Sequence, residues 1–248
     1  MIQIESLCKT FGRQQVLRGV NLRIETGEFL ALVGMSGSGK SILLKHVVGL
    51  LRPDSGRVLV AGKDVGSLAA GELEALRSRI GYVFQSGALF DSLTIFDNVA
   101  FPLREKTVLR ESEIREKVMA ALDQVGLKDA AEKYPAQISG GMIKRASLAR
   151  ALVREPEIVL FDEPTTGLDP IVANSILELL DEVHHRLKLT GILVSHEIPE
   201  IFGIVDKVAM LHEGVVAGVE AAGQIRNSRN PVIEQFVNGR PKGPIQYR

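Results

Sequence analysis

Phe29-Leu30-Ala31-Leu32-Val33-Gly34-Met35-Ser36-Gly37-Ser38-Gly39-Lys40-Ser41 decides the reading of this chain. Residues 29–33 form an unbroken apolar run, the kind of strand that is buried on both faces of a parallel sheet. Residues 34–41 fit the pattern G-x4-G-K-[ST], and an apolar helix starting near Ser41 follows. Glycines at Gly34, Gly37 and Gly39 let backbone N–H groups curl around an anion without side-chain clash. The helix start, with Ser41 and Ile42, adds a partial positive charge. Lys40 is long enough to reach β- and γ-phosphates, and the Ser41 hydroxyl suits Mg²⁺. A nucleotide binds here.

Working outward, Val/Ile/Leu-rich segments alternate with helical patterns, which predicts an α/β fold with a mainly parallel sheet. Residues 20–24 alternate apolar and polar, and 57–60 form another strand after the turn Pro53-Asp54-Ser55-Gly56. Residues 111–125 place Ile114, Val118, Ala121, Leu122 and Val125 on one helical face, with Gly126 as the stop. A second helix is predicted over 140–153 and a third over about 171–187, between strands 158–161 and 192–195. Residues 208–211 and 215–219 read as short antiparallel strands joined through Glu213-Gly214. A polar link, 226–230, leads to a short helix over 232–237 and a Gly/Pro-containing tail. The expected organisation is one domain: a core of about 1–87 and 156–223, an inserted helical subdomain of about 88–155, and a tail of about 224–248.

Ile158-Val159-Leu160-Phe161-Asp162-Glu163 is the second chemical signal. Four apolar residues bury a strand and two carboxylates emerge at its end, where open α/β sheets place their ligands. Asp162 is suited to orient a Mg²⁺ shell. Glu163 is placed to polarise a water that attacks the γ-phosphate.

Between those two elements stands Ile138-Ser139-Gly140-Gly141-Met142, which is similar to the LSGGQ signature of the ABC ATPase family. Ser139 reads as a helix N-cap, and Gly140-Gly141 keep the helix start open to a phosphate. The resemblance spans nearly the whole chain. It implies a P-loop NTPase (RecA-like) core with an antiparallel β subdomain and an inserted α-helical one, and it implies ATP hydrolysis with Mg²⁺. It also implies a homodimer in which the signature of one copy completes the ATP site of the other. Met142 departs from the family's Gln. By the same resemblance Phe11 stacks on adenine (a core role for that ring stays open), Ser36 and Ser38 line the phosphate loop, and Ile42 is counted among the nucleotide contacts. Gln85 senses the metal beside Ser41 and Asp162, Thr166-Gly167-Leu168-Asp169 contacts the opposite subunit, and His196 contacts the γ-phosphate. His46, His184, His185 and His212 match nothing and read as structural or solvated.

Residues 84–90 and 96–105, Ser195-His196-Glu197-Ile198-Pro199-Glu200 and the tail around 234–245 resemble the Mla/Mce-type lipid-transport ATPases of double-membrane bacteria. That resemblance implies phospholipid movement between inner and outer membranes. The implied partners are an integral permease, an Mce-domain protein and a small STAS-domain protein, with the chain peripheral on the cytoplasmic face of the inner membrane. Pro199 suits the first turn of a helix after His196. The apolar stretch 88–103 is either a groove for a permease helix or the helical subdomain's own core, and the tail is either a docking arm or a disordered end.

Composition bounds the alternatives. The 248 residues are 45% hydrophobic and 24% charged, with 30 basic and 30 acidic side chains. Balanced charge lowers the expectation of nucleic-acid binding. Cys8 is the only cysteine, so no internal disulfide forms, and it reads as a small packed residue. No segment reaches the ~18 uncharged apolar residues of a membrane span, and Met1-Ile2-Gln3-Ile4-Glu5 lacks the pattern of a signal peptide. Rival readings are the ATPase of a small-solute importer, a cytosolic ABC protein on nucleic acid, and a non-hydrolysing nucleotide-binding regulator.

Overall fold

The computed structural model describes residues 1–196 and 198–246. The apolar run Phe29–Val33 forms strand β3, and each of its five residues is buried. Period-2 alternation splits it between two cores. Phe29, Ala31 and Val33 face a core shared with the helices, and Leu30 and Leu32 face a second core shared with the N-terminal strands. The strands β7 (Ile158–Asp162) and β8 (Thr190–Val194) divide in the same way, with Val159, Phe161 and Leu193 on the first face and Leu160, Ile192 and Val194 on the second.

With β6 (Ile80–Val83), β9 (Lys207–His212) and β10 (Val215–Ala221), these strands form a six-stranded sheet in the order β10-β9-β3-β8-β7-β6. All neighbours are parallel except β10 on β9. The predicted antiparallel pairing of 208–211 with 215–219 is present, and β9 also extends the main sheet by lying parallel to β3. A separate antiparallel sheet, β2-β1-β4-β5, comprises β1 (Ile2–Phe11), β2 (Gln14–Ile24), β4 (Ser55–Val60) and β5 (Lys63–Asp64).

Helix α1 (Lys40–Val47) follows β3, and α2 (Ala70–Arg77) precedes β6. Then come α3 (Ile95–Lys106), α4 (Glu111–Gln124) and α5 (Gly140–Leu152). Thr94 caps α3 by accepting from the Asp97 N–H at 3.0 Å. Buried Asn98 pins the preceding turn, donating to the carbonyls of Phe90, Leu93 and Thr94. The one-face set Ile114, Val118, Ala121, Leu122 and Val125 is buried on and just after α4. Helix α6 (Pro170–Leu187) is capped by Asp169, which accepts from Ile171 and Val172, with Pro170 in its first turn.

The open alternative at 88–103 resolves by residue. Ile95, Phe96, Val99, Ala100 and Leu103 are core, whereas Phe90 and Phe101 are exposed and their ring centroids lie 4.9 Å apart. The helix expected to start with Pro199 is absent; a cis Ile198–Pro199 peptide precedes one 3-10 turn, Glu200–Gly203. Glu197, part of the motif that carries the resemblance, lies outside the described residues. The described part of the tail, 224–246, packs on its own chain. After α7 (Pro231–Val237) it turns back, so that the Gln235 side chain donates to the carbonyls of Arg240 and Ile245 (3.1 Å each) and accepts from the Ile245 N–H (2.7 Å), while Ile245 is buried. Among the described residues no helix is long and apolar enough to cross a membrane.

Candidate nucleotide site

The glycine-rich loop joins β3 to α1 and can follow its path only as glycine at key points. Gly34 has φ +148°, and a Cβ there would collide with the Leu211 carbonyl oxygen. Gly37 and Gly39 have φ +76° and +102°, a conformation other residues adopt at a cost. The loop wraps the Lys40 ammonium, which donates to the carbonyls of Gly34 (2.8 Å) and Met35 (2.9 Å) and is only 4% exposed. Burial lowers the pKa of Lys40, and the negative charges of Glu163 and Asp162 oppose that shift.

Three observations test the cradle for a triphosphate. The Ser38 Oγ is buried without a hydrogen-bond partner. Gly39, at the start of α1, offers no side-chain cap, and the first turn holds no acidic residue. A buried cation sits beside them. An orphan hydroxyl, uncapped helix N–H groups and a desolvated ammonium are complementary to phosphate oxygens.

Two carboxylates close the far side. Ser41 Oγ donates to Asp162 Oδ1 at 2.7 Å, and the Tyr82 hydroxyl donates to Asp162 Oδ2 at 3.0 Å. Burial, followed by the Asp162 charge, raises the pKa of Tyr82, which keeps it a neutral donor. Glu163, in the left-handed region at φ +50°, accepts at Oε2 from Gln85 Nε2 (2.8 Å) and the Thr166 hydroxyl (3.1 Å). His196 Nδ1 lies 3.6 Å from Glu163 Oε1. The structure therefore joins Gln85 directly to Glu163, where the sequence grouped it with Ser41 and Asp162.

Phe11 ends β1 with its ring 44% exposed and Lys9 Nζ 5.6 Å from the ring centroid, so it is no core residue. Ser36 and Gly37 are exposed on the loop, and Ile42 packs its side chain partly into the core, leaving its backbone N–H as what it can offer a ligand. Ser139 caps α5 by accepting from the Met142 N–H at 3.3 Å. Among the described residues no hydrogen bond joins Ser139, Gly140 or Gly141 to the phosphate loop. Of the remaining histidines, His46 is buried with Nδ1 on the Ile42 carbonyl (2.8 Å), His184 stacks on Phe29 and His185 pairs with Asp181.

Sequence reasoning missed Tyr82. Its signal was the alternation of β6, which puts Tyr82 on the face of Ile80 and against the second core. Sequence reasoning singled out Gln85 and residues 84–90 but missed the carbonyl contacts from Lys144 and Arg150 that hold the loop 85–88.

The profile of the ABC transporter family matches residues 17–166. The chain is 40% identical over its full length to the intermembrane phospholipid transport system ATP-binding protein MlaF of Haemophilus influenzae, covering 94% of that protein. It is 36% identical to MlaF of Escherichia coli K12, again over the full chain and 92% of that protein. With the probable ribonucleotide transport ATP-binding protein mkl of Mycobacterium leprae it shares 43% identity over 98% of this chain and 70% of that one. Among solved structures, the dimeric bacterial ABC transporter cassette MJ0796 superposes with a TM-score of 0.83 at 33% identity, covering 90% of this chain and 99% of that one. The same cassette in a post-hydrolysis state bound to ADP and Pi gives a TM-score of 0.82 at 32% identity, with the same coverage. A phosphate cradle, paired carboxylates and this likeness over family profile, full-length relatives and fold together make the chain a member of the ABC transporter family, as an ATP-binding and ATP-hydrolysing subunit.

Proposed function

We propose that this subunit powers phospholipid transport between inner and outer membranes, working as a homodimer beneath an integral permease on the cytoplasmic face of the inner membrane. The full-length likeness to two MlaF proteins, tail included, carries the reading. An Mce-domain protein and a small STAS-domain protein complete the expected assembly. Within the chain, a nucleotide-binding core of about 1–87 and 156–223 works against a helical subdomain of about 88–155.

In the proposed mechanism Phe11 stacks on adenine, and the N–H groups of residues 34–42 with Lys40 hold the phosphates. Ser41 and Asp162, joined by Gln85 on the family resemblance, would hold Mg²⁺, which would supply charge neutralisation to the bound phosphates; the hydroxyl and carboxylate oxygens suit that hard cation. Glu163 Oε2 is occupied by two donors, which leaves Oε1 to accept a proton from water. The water oxygen attacks the γ-phosphorus, the bond to the bridging oxygen breaks, and ADP leaves with that electron pair. His196, close to Oε1, stabilises the charge on the γ-phosphoryl group. Ser139, Gly140 and Gly141 of one copy cover the γ-phosphate held by the other; two cassettes of similar fold form a dimer in MJ0796.

A groove of about 350 Å³ lined by Phe84, Phe90, Phe101, Pro102 and Arg150 fits an apolar permease helix. The mycobacterial relatives named for ribonucleotide transport favour a second reading, a small-solute importer. Purifying the tagged chain with its membrane complex and identifying bound proteins and lipids separates the two. A permease carrying phospholipid supports the proposal, and a solute-binding protein with no enriched lipid overturns it.

A further inference from the structure

The loop that follows β6 is fastened to one face of α5. Lys144, buried on that helix, donates its ammonium to the Gln85 carbonyl. Six residues on, Arg150 donates Nη1 to the Ala88 carbonyl (2.7 Å) and Nη2 to the Gly87 carbonyl (2.8 Å). Gly87, at φ +78°, lies so close that a Cβ would sit 2.8 Å from Ile143 Cγ2. Residues 143, 144, 147 and 150 share a helical face, so loop and helix move together. Three carbonyls held by two cations, one of them the buried Lys144, form a stiff connection, because a buried cation that loses its partner carries a desolvation penalty.

In the proposed homodimer each end of this connection leads to a different ATP site. The Gln85 side chain donates to Glu163 at 2.8 Å, beside this copy's own phosphate cradle. Helix α5 begins at Gly140 behind its cap Ser139, and in the proposed homodimer Ser139-Gly140-Gly141 covers the partner copy's nucleotide. We propose that Lys144 and Arg150 are positioning residues that couple the two ATP sites. Through them the seating of α5 on the partner's ATP sets how Gln85 holds Glu163, and therefore when this copy hydrolyses. The inference rests on the homodimer proposed above.

The test uses the full chain. Glu163→Gln with ATP is run by size exclusion to check the dimer, and steady-state ATPase is measured against ATP concentration for the native chain, Lys144→Met and Lys144→Arg. With two interacting sites the native Hill coefficient is expected above about 1.5, and Lys144→Met should bring it to about 1. Binding of a fluorescent ATP analogue to Lys144→Met should change by less than about twofold, because the side chain touches no nucleotide in either site. Lys144→Arg should restore the cooperativity. If Lys144→Met does not fold, Arg150→Lys carries the test, since one ammonium cannot reproduce the forked contact to two carbonyls. A Glu163→Gln protein that stays monomeric at saturating ATP sinks the dimer reading and this coupling with it. A dimer in which the native coefficient is 1, or in which Lys144→Met keeps the native value, overturns the coupling alone.

Discussion

Exchanging Glu163 for Gln isolates the chemistry from the fold. The carboxylate makes three described contacts: Gln85 Nε2 and Thr166 Oγ1 on Oε2, and His196 Nδ1 at 3.6 Å from Oε1. An amide placed with its oxygen at Oε2 keeps both acceptor roles, and its NH₂ then faces His196. What changes is the charge. Two hydrogen bonds to an ion become hydrogen bonds to a neutral group, a loss of about 1 kcal/mol in stability. The proton acceptor for the attacking water is gone, and general-base catalysis is worth about 10²–10⁴ in rate, or roughly 2.7–5.5 kcal/mol of barrier. Removing a negative charge beside the γ-phosphate site strengthens ATP binding. Phosphate release at saturating ATP should therefore fall by at least about 100-fold, while titration with a fluorescent ATP analogue shows equal or tighter binding. Turnover within about threefold of the native chain, at undiminished affinity, would refute the assignment of Glu163 as base.

Three further outcomes follow from the same geometry. Phe96 is core and Phe101 is exposed in the groove, so Phe96→Ala should cost about 3–5 kcal/mol in urea denaturation, whereas Phe101→Asp should leave soluble ATPase unchanged and abolish permease co-purification. Burial holds the His46 pKa below its usual 6.5. The unfolded chain then takes up a proton that the folded chain refuses as pH falls below that value, so stability drops on the acid side; His46→Gln should flatten the urea midpoint between pH 7 and 5, and parallel curves would refute it. Deleting residues after Asn238 removes the buried Ile245 and frees Gln235, a loss of about 2 kcal/mol that should lower Tm by roughly 4–8 °C in a thermal melt.

Much of this was readable from residue order, for physical reasons that vary along the chain. Gly34 to Ser41 is legible because backbone geometry and phosphate chemistry together leave few permitted residues. The strands at 29–33 and 158–161 are legible because burial on both faces demands an unbroken apolar run. The stretch 88–103 is not, because a turn at 91–94 interrupts its periodicity, so Phe90 and Phe96 look equivalent although one lines a groove and the other fills the core. Tyr82 and Lys144 escaped notice because their partners, Asp162 and the Gln85 carbonyl, are 80 and 59 residues away. The tail's return depends on one buried amide, Gln235, whose sequence context is unremarked.

Strand order explains how residues so dispersed come to line one space, the one proposed above for the phosphate. The cradle follows β3 and the carboxylate pair ends β7, yet the two strands are not neighbours, since β8 lies between them. Strands stand about 4.8 Å apart, so the cradle strand and the carboxylate strand are separated by about 10 Å. Were β3 and β7 adjacent, half that gap would have to hold both a γ-phosphoryl group and the water in line with it, with Lys40 on one side and Glu163 on the other. The intervening strand supplies the room, and it leads directly into Ser195-His196, whose imidazole lies beside Glu163. Ser41 still reaches Asp162 because the phosphate loop carries the start of α1 across the end of β8. The fold thus opens a space as wide as the proposed reaction needs, and it brings to that space a cation, an imidazole and a carboxylate that follow three neighbouring strands.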